Sequence, residues 1–259
     1  MKKNILFIGY GDLGSRLASI SKDDLVITGI SRSLKPRIIP DQYHSLDWFK
    51  NSAQKVDLLK NYDCLIITLT PTSFDEAGYE KGYEEGMKLI SKLVKNISFK
   101  KSLLISSTRV YEDSEEPINE LSNINSEDFR AKSLLESEAI YSNEINSSQK
   151  TIFRLSGLYD PEMKDKIFYK QVDEFQNELI PISSNLNRLS RDQAARIIMN
   201  FCINKTDLLL LNVSEPTVLA QERFKMLFPE KNFDDFFRID NPGKQLDISN
   251  LLKSKLFDG

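Results

Sequence analysis

Asn4-Ile5-Leu6-Phe7-Ile8-Gly9-Tyr10-Gly11-Asp12-Leu13-Gly14-Ser15-Arg16-Leu17-Ala18 is the stretch that decides the fold. An apolar run of strand length meets a Gly-x-Gly-x-x-Gly turn and passes directly into helix-forming residues. That context separates a phosphate-binding turn from a chance spacing of glycines. Gly9 lets the chain turn sharply after the strand. Gly11 removes a side chain where the backbone must approach an anion, and Gly14 lets the helix pack close to the strand. The first helical turn then offers free N–H groups and a partial positive charge. Gly9, Gly11, Asp12, Leu13 and Gly14 are therefore the expected contacts of a dinucleotide pyrophosphate.

The end of the second strand, residues 25–30, sets the cofactor. An acidic residue there would bind ribose hydroxyls. This chain has Ser31-Arg32-Ser33 instead. A guanidinium suits a 2′-phosphate and serine hydroxyls can donate to it. NADP is the expected cofactor, with NAD as the alternative. Asp47, after a short third strand at 43–46, either reaches the adenine amine or caps the following segment. Thr70, past the fourth strand, joins the cofactor set.

Outward from this unit, short apolar runs alternate with amphipathic stretches. Strands are expected at 4–8, 25–30, 43–46, 64–69, 102–106 and 151–155. Helices are expected from residue 15 to 21, at 79–94 and at 126–143, with a weaker one at 53–59. Such alternation predicts an α/β fold, a doubly wound parallel sheet with helices on both faces. Later, helices are expected within 161–181, at 192–203, 217–227 and 248–256, with a strand at 208–213. The expected organisation is a dinucleotide-binding domain over 1–157 and a smaller substrate lobe over 158–259, of which 187–214 pack back on the main sheet.

Bulk properties narrow the function classes. The chain has 259 residues, 40% apolar and 28% charged, with net charge −3. That composition supports a sizeable core, and the charge argues against nucleic acid as partner. Cys64 and Cys202 sit among apolar residues and read as core. With one histidine, His44, and no cysteine pair at ligand spacing, no metal site is expected. No run approaches the ~18 apolar residues of a membrane span. The apolar start meets Asp12 and Arg16 too soon for a secretory signal. A soluble, cytoplasmic protein without membrane partners is expected.

Further motifs, in order along nearly the whole chain, carry a resemblance. They are Gly82-Tyr83-Glu84-Glu85-Gly86-Met87, Ser106-Ser107-Thr108-Arg109-Val110-Tyr111, Pro117-Ile118-Asn119-Glu120, Arg154-Leu155-Ser156-Gly157-Leu158-Tyr159-Asp160-Pro161, Asn187-Arg188-Leu189-Ser190-Arg191-Asp192-Gln193-Ala194 and Leu211-Asn212-Val213-Ser214. Together they resemble the extended short-chain dehydrogenase/reductase family of nucleotide-sugar epimerases and dehydratases, in its atypical branch with a degenerate active site. The resemblance implies hydride transfer at nicotinamide, assisted by a tyrosine, a lysine and a Ser/Thr. Ser107 matches the Ser/Thr and Lys132 the lysine, which would also hold the cofactor ribose. The tyrosine should lie one helical turn before the lysine. Asp128 stands there, with Phe129 beside it. Tyr111 is carried as a substitute phenol, and Tyr159 as another. The expected function is an NAD(P)-binding oxidoreductase or epimerase/dehydratase-like protein acting on a carbonyl or alcohol of a small or nucleotide-linked substrate. The alternative is a non-catalytic NADP-binding sensor or regulator. Arg188 or Arg191 could meet a substrate phosphate. The resemblance also suggests a homodimer through the helices at 79–94 and 126–143.

Overall fold

The computed structural model describes residues 1–32, 35–50, 56–160, 168, 172 and 178–257. Its first half runs β1 (Lys3–Ile8), α1 (Asp12–Ile20), β2 (Leu25–Ser31), β3 (Gln42–Ser45), β4 (Asn61–Thr68), α2 (Glu76–Tyr79), a π-helical turn (Glu80–Glu85), α3 (Gly86–Val94), β5 (Ser98–Ser107), α4 (Phe129–Glu144) and β6 (Lys150–Leu155). There follow β7 (Gly157–Tyr159), β8 (Ile180–Ser183), β9 (Asn185–Leu186), β10 (Arg188–Ser190), α5 (Arg191–Ile203), β11 (Leu210–Val213), β12 (Val218–Leu219), α6 (Ala220–Leu227), β13 (Phe237–Asn241) and α7 (Ser249–Lys253).

Seven strands form one sheet in the order β11-β6-β5-β4-β1-β2-β3. All neighbours are parallel, with Ile5 paired to Ile27 on one side and to Cys64 on the other. This is the doubly wound Rossmann arrangement. Because a strand alternates faces, β1 sends Ile5 and Phe7 into one core and Leu6 and Ile8 into the other. The first core is closed by Leu17 of α1 and Ile197 and Ile198 of α5. The second is closed by Met87, Ile90 and Val94 of α3 and Tyr141 of α4. Strand order reverses between β1 and β4, so a crevice opens beyond their carboxyl ends, where ligands bind in such sheets.

The later chain returns to the sheet twice: β11 pairs with β6, and α5 packs against α1. A third core gathers Phe168, Leu186, Phe224, Phe233 and Phe237 under the small pairs β8–β13 and β9–β12. Cys64 and Cys202 are both buried and free.

Several boundaries differ from expectation. The helix expected from 79 begins at Glu76, where the Asp75 carboxylate accepts from the Gly78 N–H at 2.8 Å, and it widens into the π-helical turn before α3. Of the weak helix at 53–59, residues 53–55 lie outside the described residues, and Val56 to Leu59 are not helical. Most of the helix expected within 161–181 also lies outside them, while Ile180 and Pro181 belong to β8. Val218 and Leu219 form a short strand before α6, where extended pairing with β9 replaces a helical start. The helix expected at 248–256 is confined to Ser249–Lys253, and Lys255 has a positive φ of 57° past its end.

Candidate functional site

β1 delivers the chain to Gly9, whose φ is +82°. A β-carbon there would stand 2.0 Å from the Thr68 carbonyl oxygen. Only glycine meets both demands. The Thr68 hydroxyl donates to the Gly9 carbonyl at 2.8 Å and ties the turn to β4. Gly11 is different. A β-carbon on it would meet nothing nearer than the Gly9 carbonyl oxygen at 3.7 Å. Nothing inside the fold requires glycine at 11. Among the described residues no side chain caps the N-terminus of α1, and Gly11, Asp12 and Leu13 line the crevice. A phosphate fits that space and the N–H groups behind it.

Gly14 serves another purpose than direct packing of helix on strand. A β-carbon at 14 would come 2.6 Å from the Tyr10 ring, and one at Gly29 2.8 Å from the same ring. Tyr10 is thus wedged between α1 and β2, its hydroxyl donating to the Ile38 carbonyl at 3.0 Å. Burial pushes its phenol up to about 12.

The crevice, about 480 Å³, runs from the glycine turn past Thr68, Leu69 and Thr70 to Ser106 and Ser107. It ends at Ser156, Gly157 and Leu158. Tyr83, Leu134 and Arg191 also border it. Arg32, at the end of β2, is exposed, its guanidinium 5.6 Å from the Trp48 ring and 5.5 Å from Phe49. Its Nη2 lies 3.4 Å from the Thr70 hydroxyl, so Arg32 spans the mouth between β2 and β4. Ser31 is buried and its hydroxyl is shared with Tyr43 at 2.7 Å. Ser33 lies outside the described residues. Asp47 accepts the Phe49 N–H at 3.2 Å. The capping role for Asp47 is the one its geometry displays.

At the other end, Ser107 borders the crevice and its Oγ accepts from the Arg109 N–H at 3.2 Å. Lys132, Asp128 and Tyr111 are not among the residues that line the crevice. Lys132 is exposed and does not line the crevice, whereas Leu134 does. At about 100° per residue, positions 132 and 134 point ~200° apart, so both cannot face one cleft. The residue one turn before Leu134 is Arg130, whose guanidinium lies 5.0 Å from the Phe129 ring. Asp128 caps α4, accepting the Arg130 N–H at 2.7 Å. Tyr111 is fully buried, its hydroxyl donating to Asn212 Oδ1 at 2.7 Å and its ring under Arg154 at 4.9 Å. That hydroxyl is a core anchor and does not border the cleft. Asp128→Ala should therefore cost about 1 kcal/mol of stability in a urea melt, the value of an N-cap, with dinucleotide affinity unchanged.

A charged hub closes the outer wall. Arg16 pairs with Asp12 at 3.0 Å, with Asp160 at 2.6 Å and with Asp192. Burial disfavours its charge, but the carboxylates outweigh that and hold it more basic than usual. Arg191 reaches Asp12 at 3.4 Å and borders the cleft, while Arg188 lies 5.8 Å from the Tyr159 ring. Of these two arginines, only Arg191 lines the crevice.

Two cleft residues escaped the sequence reading. Tyr83 was legible only as part of an apolar helix stripe with Met87, Ile90 and Val94. The Ser156 hydroxyl is buried, with no hydrogen-bond partner among the described residues. The helices expected to form a dimer present Lys88, Lys92, Lys132 and Glu136 to solvent, and among their described residues no large apolar side chain is exposed. No cluster of metal-ligating side chains occurs among the described residues. None of the described helices is long and apolar enough to cross a membrane.

Solved structures share this fold. A candidate NAD-dependent epimerase/dehydratase from Methylobacillus flagellatus aligns with TM-score 0.71 at 23% identity, covering 98% of this chain and 92% of the other. UDP-glucuronic acid 4-epimerase from Bacillus cereus, solved with NAD, aligns with TM-score 0.73 at 17% identity, covering 98% and 91%. UDP-N-acetylglucosamine 4-epimerase from Methanobrevibacter ruminantium, solved with UDP-N-acetylmuramic acid, aligns with TM-score 0.71 at 18% identity, covering 98% and 93%. The chain has their fold. No family model matches the sequence, and no curated protein matches it.

Proposed function

We propose that the chain binds a nicotinamide dinucleotide, NADP in preference to NAD, and works as an epimerase/dehydratase-like oxidoreductase on a carbonyl or alcohol of a small or nucleotide-linked substrate. One observation carries this reading: a single cleft joins the uncapped N-terminus of α1, open at Gly11, to Ser107 at the end of β5. The likeness to structures solved with NAD and with nucleotide sugars supports the substrate class. When bound, the nicotinamide donates or accepts a hydride. The backbone N–H groups at Gly11, Asp12 and Leu13 would hold the pyrophosphate, and Arg32 the 2′-phosphate. The Ser107 hydroxyl would bond the substrate oxygen and Arg191 an anionic substituent. The reading needs only one chain.

Arg32→Ala tests the cofactor. A lost charged hydrogen bond is worth about 1.5–3 kcal/mol, so NADPH affinity should fall roughly 10–100-fold while NADH affinity stays as it was, both read by quenching of protein fluorescence. If neither dinucleotide binds the parent protein, the proposed function is wrong. Equal losses for both would leave the site and remove the NADP preference. The second reading, a dinucleotide-binding regulator without turnover, draws on one observation: Leu134 lines the cleft and Lys132 does not. Carbonyl substrates screened with NADPH at high protein concentration separate the two.

A further inference from the structure

The epimerase-like reading leaves the cleft without a proton donor on α4, since Leu134 faces it and neither Asp128, Lys132 nor Tyr111 borders it. Tyr10, Tyr111, Tyr141 and Tyr159 donate their hydroxyls to Ile38, Asn212, Thr151 and Glu215. Tyr62 accepts from the Leu59 N–H, and Tyr43 shares its hydroxyl with Ser31. Tyr169 lies outside the described residues. The hydroxyls of Tyr79 and Tyr83 have no hydrogen-bond partner among the described residues, and of these two only Tyr83 lines the cleft.

Its placement has a structural cause. Tyr83 sits in the π-helical turn Glu80–Glu85, a rare irregularity that shifts the facing of side chains and recurs at functional sites. The turn is pressed onto the end of β4: a β-carbon at Gly82 would lie 2.4 Å from the Thr70 carbonyl oxygen. The Tyr83 ring is braced at 5.5 Å by Tyr79, which meets Phe129 at the start of α4 at 5.6 Å, edge to face. The ring also packs on the core that holds Leu134. Since the glycine turn takes the pyrophosphate and Arg32 the adenosine side, the Ser107–Leu134 end is left for the nicotinamide.

We propose that Tyr83 is the proton-transferring catalytic residue of this cleft, facing the nicotinamide end of a bound dinucleotide. The proposal rests on the dinucleotide reading above. Burial pushes the phenol up to about 12, helped by Tyr79, while the nearby Arg109 guanidinium favours the phenolate. A neutral phenol at working pH is the form that donates. In carbonyl reduction, a hydride from the bound reduced cofactor would reach the carbonyl carbon as the C=O π pair moves onto oxygen. The Tyr83 O–H bond breaks as the O–H bond of the alcohol forms. The phenolate, stabilised by Arg109, regains its proton from water. In alcohol oxidation the same proton and hydride move in reverse.

The test compares two ligands on ring-labelled tyrosine NMR: NADP⁺, and 2′-phospho-ADP-ribose, which lacks the nicotinamide. Calorimetry confirms that each binds. The Tyr83 signal, assigned by its absence in Tyr83→Phe, should move with NADP⁺ and not with 2′-phospho-ADP-ribose. Its ionisation midpoint should fall by about 1 pH unit or more with NADP⁺, because the oxidised nicotinamide is a cation beside the phenol. A signal that moves alike with both ligands, or with neither while both bind, overturns the assignment of Tyr83 and leaves dinucleotide binding intact. No calorimetric binding of either ligand overturns both.

Discussion

Gly11→Val should weaken dinucleotide binding about 100-fold or more, ~2.8 kcal/mol at 1.4 kcal/mol per tenfold, and leave the melting temperature close to that of the parent. The two halves of this expectation have separate grounds. Stability is spared because the space around a β-carbon at 11 is open, the nearest atom being 3.7 Å away. Binding is lost because that open space is the phosphate's, directly before the free N–H groups of α1. Gly11→Ala should fall between. Gly9→Ala is the contrasting variant: it forces φ of +82° on alanine and a 2.0 Å approach to Thr68, so the fold itself should weaken by about 1–3 kcal/mol. Fluorescence titration with NADPH and thermal melts of the three variants check the set. Unchanged affinity in Gly11→Val would remove the pyrophosphate from this turn.

How far the sequence could be read follows from where each property is encoded. β1, the glycine turn and the sheet were legible because strand alternation and the Gly-x-Gly-x-x-Gly spacing are local. Gly14 was legible as a glycine, but the body it admits, the Tyr10 ring, is non-adjacent packing. Arg32 was legible as a cation at the end of β2; its seat by Trp48 and Phe49 needed the fold. The face that α4 turns to the cleft was not legible. A motif match selected Lys132, yet the rotation of a helix is fixed by what its other residues grip. Tyr83 was hidden for a related reason. In the sequence it continues a helical stripe, and the π-helical turn that puts it on the cleft wall has no marker in the pattern.

The grip on α4 is Glu138, one turn beyond Leu134, and removing it should have the largest effect on stability. Its carboxylate accepts Arg154 Nε at 3.0 Å and Nη2 at 2.6 Å, and the Ser106 hydroxyl donates to it at 2.5 Å. Burial disfavours the Arg154 charge, but these bonds to Glu138 outweigh it and keep the guanidinium more basic than usual. Both side chains are almost wholly buried, at 6% and 8% exposure. Breaking such a pair from one side costs about 3–5 kcal/mol, since an uncompensated charge stays buried. For a chain of this size about 2–4 °C accompanies each kcal/mol, so Glu138→Ala should melt roughly 10 °C below the parent. Replacing both partners with apolar residues of similar volume, Glu138→Leu with Arg154→Met, should recover much of that loss, because no charge is then stranded. Affinity gives the second readout. Ser106 borders the cleft and loses its acceptor in both variants, so NADPH should bind more weakly even in the restabilised double variant. If the double variant bound NADPH like the parent, the pair would support the fold without shaping the cleft floor, and the rotation of α4 would have to be set elsewhere.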